Sequence, residues 1–168
     1  MMIRLRLQLM SITHSMAANK KKSTGIRAFA IVLFFLYFAV LFYFLFFSEE
    51  MGRTYSEREY HYNLIPFHEI KRFIHYYEVL GIEAVLLNLV GNVAAFMPFG
   101  FFLPIFSERC RNILNTILYS FELSVLVELI QLITKVGSFD VDDMILNTLG
   151  GTLGYVVYKI VRSWWYRR

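Results

Sequence analysis

Between Ser124 and Gly154 the chain concentrates side chains that can do chemistry. Ser124, Glu128 and Gln131 sit inside a membrane-length apolar segment, followed by Asp140, Asp142 and Asp143, then Asn147 and the glycines Gly150, Gly151 and Gly154. A carboxylate or amide in hydrocarbon is costly unless it faces protein or a water-filled cavity, so polar groups at that depth mark ligand sites, proton relays or defined buried pairs. Ser124, Glu128 and Gln131 are spaced by four and three and share one helix face. Glu128 is the candidate general acid or base, and Asp140 and Asp143 are candidate ligands for a divalent cation. Each has a plainer alternative. Glu128 is also satisfied by a buried partner, and an acid just before a helix caps its free N–H groups. Asn88, Asn92 and Gln131 can be interhelical hydrogen bonds of about 1 kcal/mol each. The acidic run lacks the glycine turn and distal glutamate of an EF-hand loop.

These groups are positioned by an unusually apolar chain. Of its 168 residues 57% are hydrophobic, 18% aromatic and only 18% charged, which points to a multi-span membrane protein. The net charge of +4 comes from basic residues flanking apolar segments, which fits a membrane surface and not nucleic acid. Cys110 is the only cysteine, which excludes an intramolecular disulfide and a cysteine zinc site.

Four spans are predicted, at about 28–47, 84–106, 113–134 and 144–161, within one membrane domain of residues 28–161. A basic segment, 1–27, precedes it and a basic aromatic tail, 162–168, follows. The first span is read as an uncleaved anchor because it is long and ends in Ser48, Glu49 and Glu50. Pro98 removes a helical hydrogen bond and predicts a kinked or broken second span. Ile70, Phe73, Ile74 and Tyr77 recur at helical spacing and predict an amphipathic surface helix in the long loop 48–83. The fold class is therefore an all-α integral membrane four-helix bundle with one surface helix.

Twelve Lys and Arg residues fall on the side of both termini and loop 107–112, against five on the other side, which predicts cytoplasmic termini. In that orientation Asn88 and Asn92, Glu128, and Asn147 lie at comparable depth in the outer half of the membrane. Their faces are expected to converge on an outward polar pocket. Asp140, Asp143, Asn147 and Gly154 fall on one stripe, and Asp142 falls off it, so Asp142 is expected to tolerate replacement. Gly150 and Gly154, with Gly151 beside them, supply the small-residue spacing that lets helices pack closely.

The residues NLIPF at 63–67, NLVGNVAAFMPFGFFLP at 88–104, the Ser124, Glu128 and Gln131 triplet, and FDVDDMILNTLGGTLGY at 139–155 together resemble the VanZ-like family. The resemblance implies a bacterial cytoplasmic-membrane protein whose relatives are linked to lowered teicoplanin susceptibility. Where that family commonly has arginine shortly before the acidic motif, this chain has Gly137 and Ser138, with Lys135 upstream.

Two functional readings follow. In the first, a polar pocket formed by Asn88, Asn92, Ser124, Glu128, Gln131, Asp140, Asp143 and Asn147 binds or shields at the outer leaflet. Its partner would be a lipid-linked envelope precursor or a lipoglycopeptide. In the second, the chain is an integral-membrane enzyme acting on an envelope lipid or peptidoglycan intermediate, with Glu128 catalytic and Asp140 and Asp143 holding a divalent cation.

Overall fold

Uninterrupted apolar sequence makes helices here, because a backbone within hydrocarbon must satisfy its own hydrogen bonds. The computed structural model describes residues 28–44 and 62–167, with Gly25 and Tyr60. Helix α1 is Ala28–Phe44, and residues 45–47 of the first predicted span lie outside the described residues. After a short strand β1 (Tyr62–Asn63) come helix α2 (His68–His75), a single turn (Tyr77–Leu80) and helix α3 (Ile82–Phe106). Helix α4 (Ile113–Thr134), strand β2 (Phe139–Asp140) and helix α5 (Val141–Tyr166) complete the described chain. Among the described residues three helices, α3, α4 and α5, are long and apolar enough to cross a membrane.

Of the kink or break expected at Pro98, the break is absent: helix α3 runs unbroken through Pro98 and Pro104, with a π-helical stretch at Leu86–Val90. The Tyr37 hydroxyl donates to the Ala95 carbonyl at 2.8 Å, beside the carbonyl that Pro98 leaves without its helical donor. This bond also ties α1 to α3, and Phe34 stacks or packs edge-on against Phe99, Phe102 and Phe106 along the same seam.

Helix α5 makes its largest interface with α3 and its next with α4. Glycine allows the α3 contact. A Cβ on Gly100 would lie 1.8 Å from the Gly151 carbonyl oxygen, one on Gly150 2.2 Å from that of Val93, and one on Gly154 1.9 Å from that of Met97. Three backbone contacts thus seat α5 on α3, and a Cβ on Gly151 would collide with Ser120 of α4 at 2.0 Å. At the far end of the bundle the Tyr155 hydroxyl donates to the Arg111 carbonyl at 2.6 Å, and Thr116 donates to that of Cys110 at 2.9 Å.

Sequence periodicity contained no sign of strands. The structure pairs β1 with β2 in parallel, Tyr62 opposite Phe139 and Asn63 opposite Asp140, so the loop before α2 is fastened to the residues that start α5.

The glycine seam yields a direct comparison. Gly154→Ala is expected to lower stability by about 1–3 kcal/mol, the usual cost of overpacking a filled interface. Gly91→Ala, whose Cβ meets nothing within 4 Å, is expected to be neutral or to stabilise by up to about 1 kcal/mol through helix propensity. Thermal unfolding of the purified protein in detergent checks both, and equal effects would contradict the close α3–α5 packing.

Candidate functional site

The site is built around the first turn of α5. Its cap is Asp140, whose carboxylate accepts from the Asp142 N–H at 2.8 Å and from the Asn63 amide at 2.9 Å. The Asp140 N–H in turn donates to Glu128 Oε2 at 2.8 Å, so a glutamate from α4 closes the entry to α5. Burial raises the Asp140 carboxyl above its usual 3.8, a shift opposed by those two hydrogen bonds.

Asp142 corrects the expectation of tolerance. It is 1% exposed, and its two oxygens accept from the N–H groups of Phe67, of Glu69 at 2.7 Å and of Ile70 at 3.1 Å. Helix α2 has no side-chain cap of its own, so an acid 75 residues along the chain supplies one. Phe67 holds a left-handed conformation, φ 64°, which is uncommon for an aromatic residue. Its N–H bond to Asp142 is part of what keeps it there.

Asp143 points elsewhere again: its Oδ1 accepts from the Asn92 amide of α3 at 2.6 Å. The three acids therefore serve three different elements. Among the described residues, no group of three or more His, Cys, Asp or Glu is arranged to hold a metal ion. One turn further on, the Asn147 amide donates to the Ser124 hydroxyl of α4 at 2.9 Å, and Asn147 Oδ1 is buried with no hydrogen-bond partner among the described residues.

Two cavities flank this turn. The first, of about 360 Å³, lies between α1, α3, α4 and α5. Its polar lining is Asn92, Glu128, Gln131, Asp143 and Asn147, and its apolar lining includes Tyr37, Val40, Leu41, Phe44, Leu87 and Pro98. Glu128 and Asn147 are almost fully buried, whereas Val40, Phe44 and Leu87 are exposed, so the cavity has a deep polar floor and an apolar mouth between α1 and α3. The second, of about 220 Å³, is lined by Glu69, Arg72, Asn88, Ser138, Asp140 and Asp142 among others, and shares Gln131 and Asp143 with the first.

The sequence-selected residues thus divide. Asn92, Glu128, Gln131, Asp143 and Asn147 meet in the larger cavity, and Asn88 and Asp140 line the smaller one. Ser124 is fully buried beside Asn147. Asn88 bonds the Ala84 carbonyl of its own helix at 3.0 Å. Glu122 belongs to neither cavity; it lines a groove with Cys110 and Tyr119 on another face of α4. Asn63, Asp142 and Tyr37 were not singled out by spacing. Only the NLIPF block pointed at Asn63, and no periodic signal marks the other two.

Three long apolar helices around a buried polar floor define a class of all-helical protein with membrane-length helices. The VanZ/LLP1 family profile matches residues 34–162, and the chain belongs to that family. It is similar to Protein VanZ of Enterococcus faecium, 34% identical over 73 residues, a match that covers 44% of this chain and 45% of that relative. No solved structure matches.

The remote cap supplies a prediction. Asp142→Ala leaves three helix N–H groups without their acceptor, each hydrogen bond to a charged group contributing about 1.5–3 kcal/mol. Amides of Phe67, Glu69 and Ile70 are expected to exchange with deuterium at least tenfold faster in Asp142→Ala than in wild type, while amides in the middle of α3 keep their protection. Unchanged exchange at those three positions would refute the cap.

Proposed function

We propose that this chain is a multi-pass protein of the bacterial cytoplasmic membrane, with both termini cytoplasmic, whose larger cavity engages an envelope amphiphile at the outer leaflet. The amphiphile would be a lipid-linked envelope precursor or a lipoglycopeptide, and holding or shielding it would lower susceptibility to glycopeptides such as teicoplanin. The observation that carries this reading is the cavity itself: a polar floor of Asn92, Glu128, Gln131, Asp143 and Asn147 beneath a mouth of exposed apolar residues. Its volume falls in the range of about 300–1,000 Å³ usual for small-molecule sites. An apolar mouth between helices of membrane length suits a ligand that arrives through lipid.

Binding ranks above bond-making for a physical reason. One oxygen of Glu128 is committed to the Asp140 N–H, and the three aspartates diverge onto Asn63, the α2 N-terminus and Asn92. A general base needs access to a substrate proton, whereas a binding floor needs only fixed polar groups.

Susceptibility tests this reading. In a sensitive host, expression of the wild-type chain is expected to raise the inhibitory concentration of teicoplanin, which carries a lipid tail, at least fourfold and to leave that of vancomycin, which does not, unchanged. Glu128→Gln and Asp143→Asn proteins at wild-type membrane levels are expected to lose that effect. Equal protection against both drugs, or full protection by both variants, would contradict the cavity mechanism.

Topology is tested separately by impermeant thiol labelling of single cysteines in a Cys110→Ser background. Glu78→Cys is expected to label from outside and Glu108→Cys only after permeabilisation. The reverse pattern would overturn the orientation and with it the outer-leaflet site.

A further inference from the structure

Glu122 is a carboxyl group that the cavity site does not use. It is exposed, and in the 22-residue helix α4 it lies about 14 Å from the start of a rod about 33 Å long. With α4 across a bilayer that is close to mid-depth, where an ionisable side chain faces protein or water and not lipid tails. Lipid head groups lie near the two surfaces, out of its reach. The groove beside it, of about 420 Å³, is walled by Phe99, Leu103, Leu123 and Leu126, and such an apolar lining suits side chains better than water. A second span of protein is the partner that this depth and lining call for.

The same face of α4 carries a matching donor. Leu118, Tyr119, Glu122, Leu126, Leu129 and Ile133 fall within about 100° of arc, and all six are exposed. Ser120, Ser124, Val127 and Glu128 on the opposite face are buried in the bundle. Among the described residues, neither the Tyr119 hydroxyl nor the Glu122 carboxyl makes a hydrogen bond or ion pair.

We propose that a second copy of this chain covers this face, α4 against α4, with the Tyr119 hydroxyl of each copy donating to the Glu122 carboxyl of the other. Two copies inserted the same way round are related by a two-fold axis along the membrane normal, which sets the two α4 helices parallel with equal residues at equal depth. Tyr119 and Glu122 are about 4.5 Å apart along the helix, a step that a tyrosine side chain spans. A surface bearing both donor and acceptor complements itself under that symmetry and makes the bond twice. A carboxyl oxygen accepts whether or not the group is protonated. This interface lies on a different face of α4 from the larger cavity and does not depend on what that cavity binds.

The test reconstitutes the full chain into liposomes as donor-labelled and acceptor-labelled copies and dilutes the protein with lipid. Energy transfer is expected at high protein density and falls on dilution. An interhelical hydrogen bond contributes about threefold, and the pair about tenfold, so Tyr119→Phe and Glu122→Ala should each need about tenfold higher density for half-maximal transfer. The double variant should need no more than either alone, because all three lose the same bonds. Glu122→Gln keeps an acceptor oxygen and should stay close to wild type. In cell membranes, a benzophenone on Leu126→Cys in a Cys110→Ser background should crosslink a dimer, and one on Leu149→Cys, exposed on α5, should not.

No transfer at any density, or transfer unchanged in both Tyr119→Phe and Glu122→Ala, overturns the interface. Additive losses in the double variant overturn the reciprocal pair. Crosslinking from position 126 only to a protein of another mass assigns the face to a different partner, and crosslinking only to lipid leaves it to the bilayer; either result overturns self-association.

Discussion

A helix that begins inside a bundle presents N–H groups that water cannot reach, and each such group left unmatched costs about 1–3 kcal/mol. Helix α5 begins this way, at a cap residue that is 7% exposed. Its entry is satisfied by a relay of carboxylates: Glu128 takes the Asp140 N–H, Asp140 takes the Asp142 N–H, and Asp142 takes three N–H groups at the start of α2. Negative charge suits both helix N-termini through the backbone dipoles. The same short run of residues therefore stabilises two helices and joins α4, α5 and the segment that precedes α3.

The rest of that end of the molecule follows. With Asp140 and Asp142 committed to structure, Asp143 and Asn147 are the acidic and amide groups of α5 that line the larger cavity, alongside Glu128 and Gln131 from α4. The α3–α5 seam must bring Asn92 within reach of Asp143, which it does because glycines at 100, 150 and 154 leave no side chains between the backbones. Tyr37, Val40, Leu41 and Phe44 of α1 then line the apolar side of the cavity. The polar groups of this floor are held in place by hydrogen bonds made in folding.

Helix content was legible because apolar runs of membrane length have one main solution. The third span was expected at 113–134 and α4 occupies Ile113–Thr134. The fourth proved longer, Val141–Tyr166, because its N-terminal acids and C-terminal tryptophans continue the helix beyond its apolar centre. What spacing could not reveal depends on long-range pairing. Asp142 looked dispensable because periodicity describes only the faces of its own helix, whereas its partners belong to residues 67–70. The strand pair was invisible for a similar reason: two residues carry no alternation to read, and their pairing arises only when the loop reaches β2. Pro98 predicted a kink or a break; the helix is not broken there, and a π-helical stretch lies earlier, at Leu86–Val90.

The segment before α2 is docked on the start of α5 through the β1–β2 pair, the Asn63–Asp140 bond and the Asp142 cap. Oxidative crosslinking of Tyr62→Cys with Phe139→Cys, which face one another across the parallel pair, tests it most directly in a Cys110→Ser protein in membranes. Rapid disulfide formation is expected for that pair, and none for Tyr62→Cys with Trp164→Cys near the far end of α5. If positions 62 and 139 fail to crosslink while both remain accessible to thiol reagents, the docked segment and the remote cap on α2 are both contradicted.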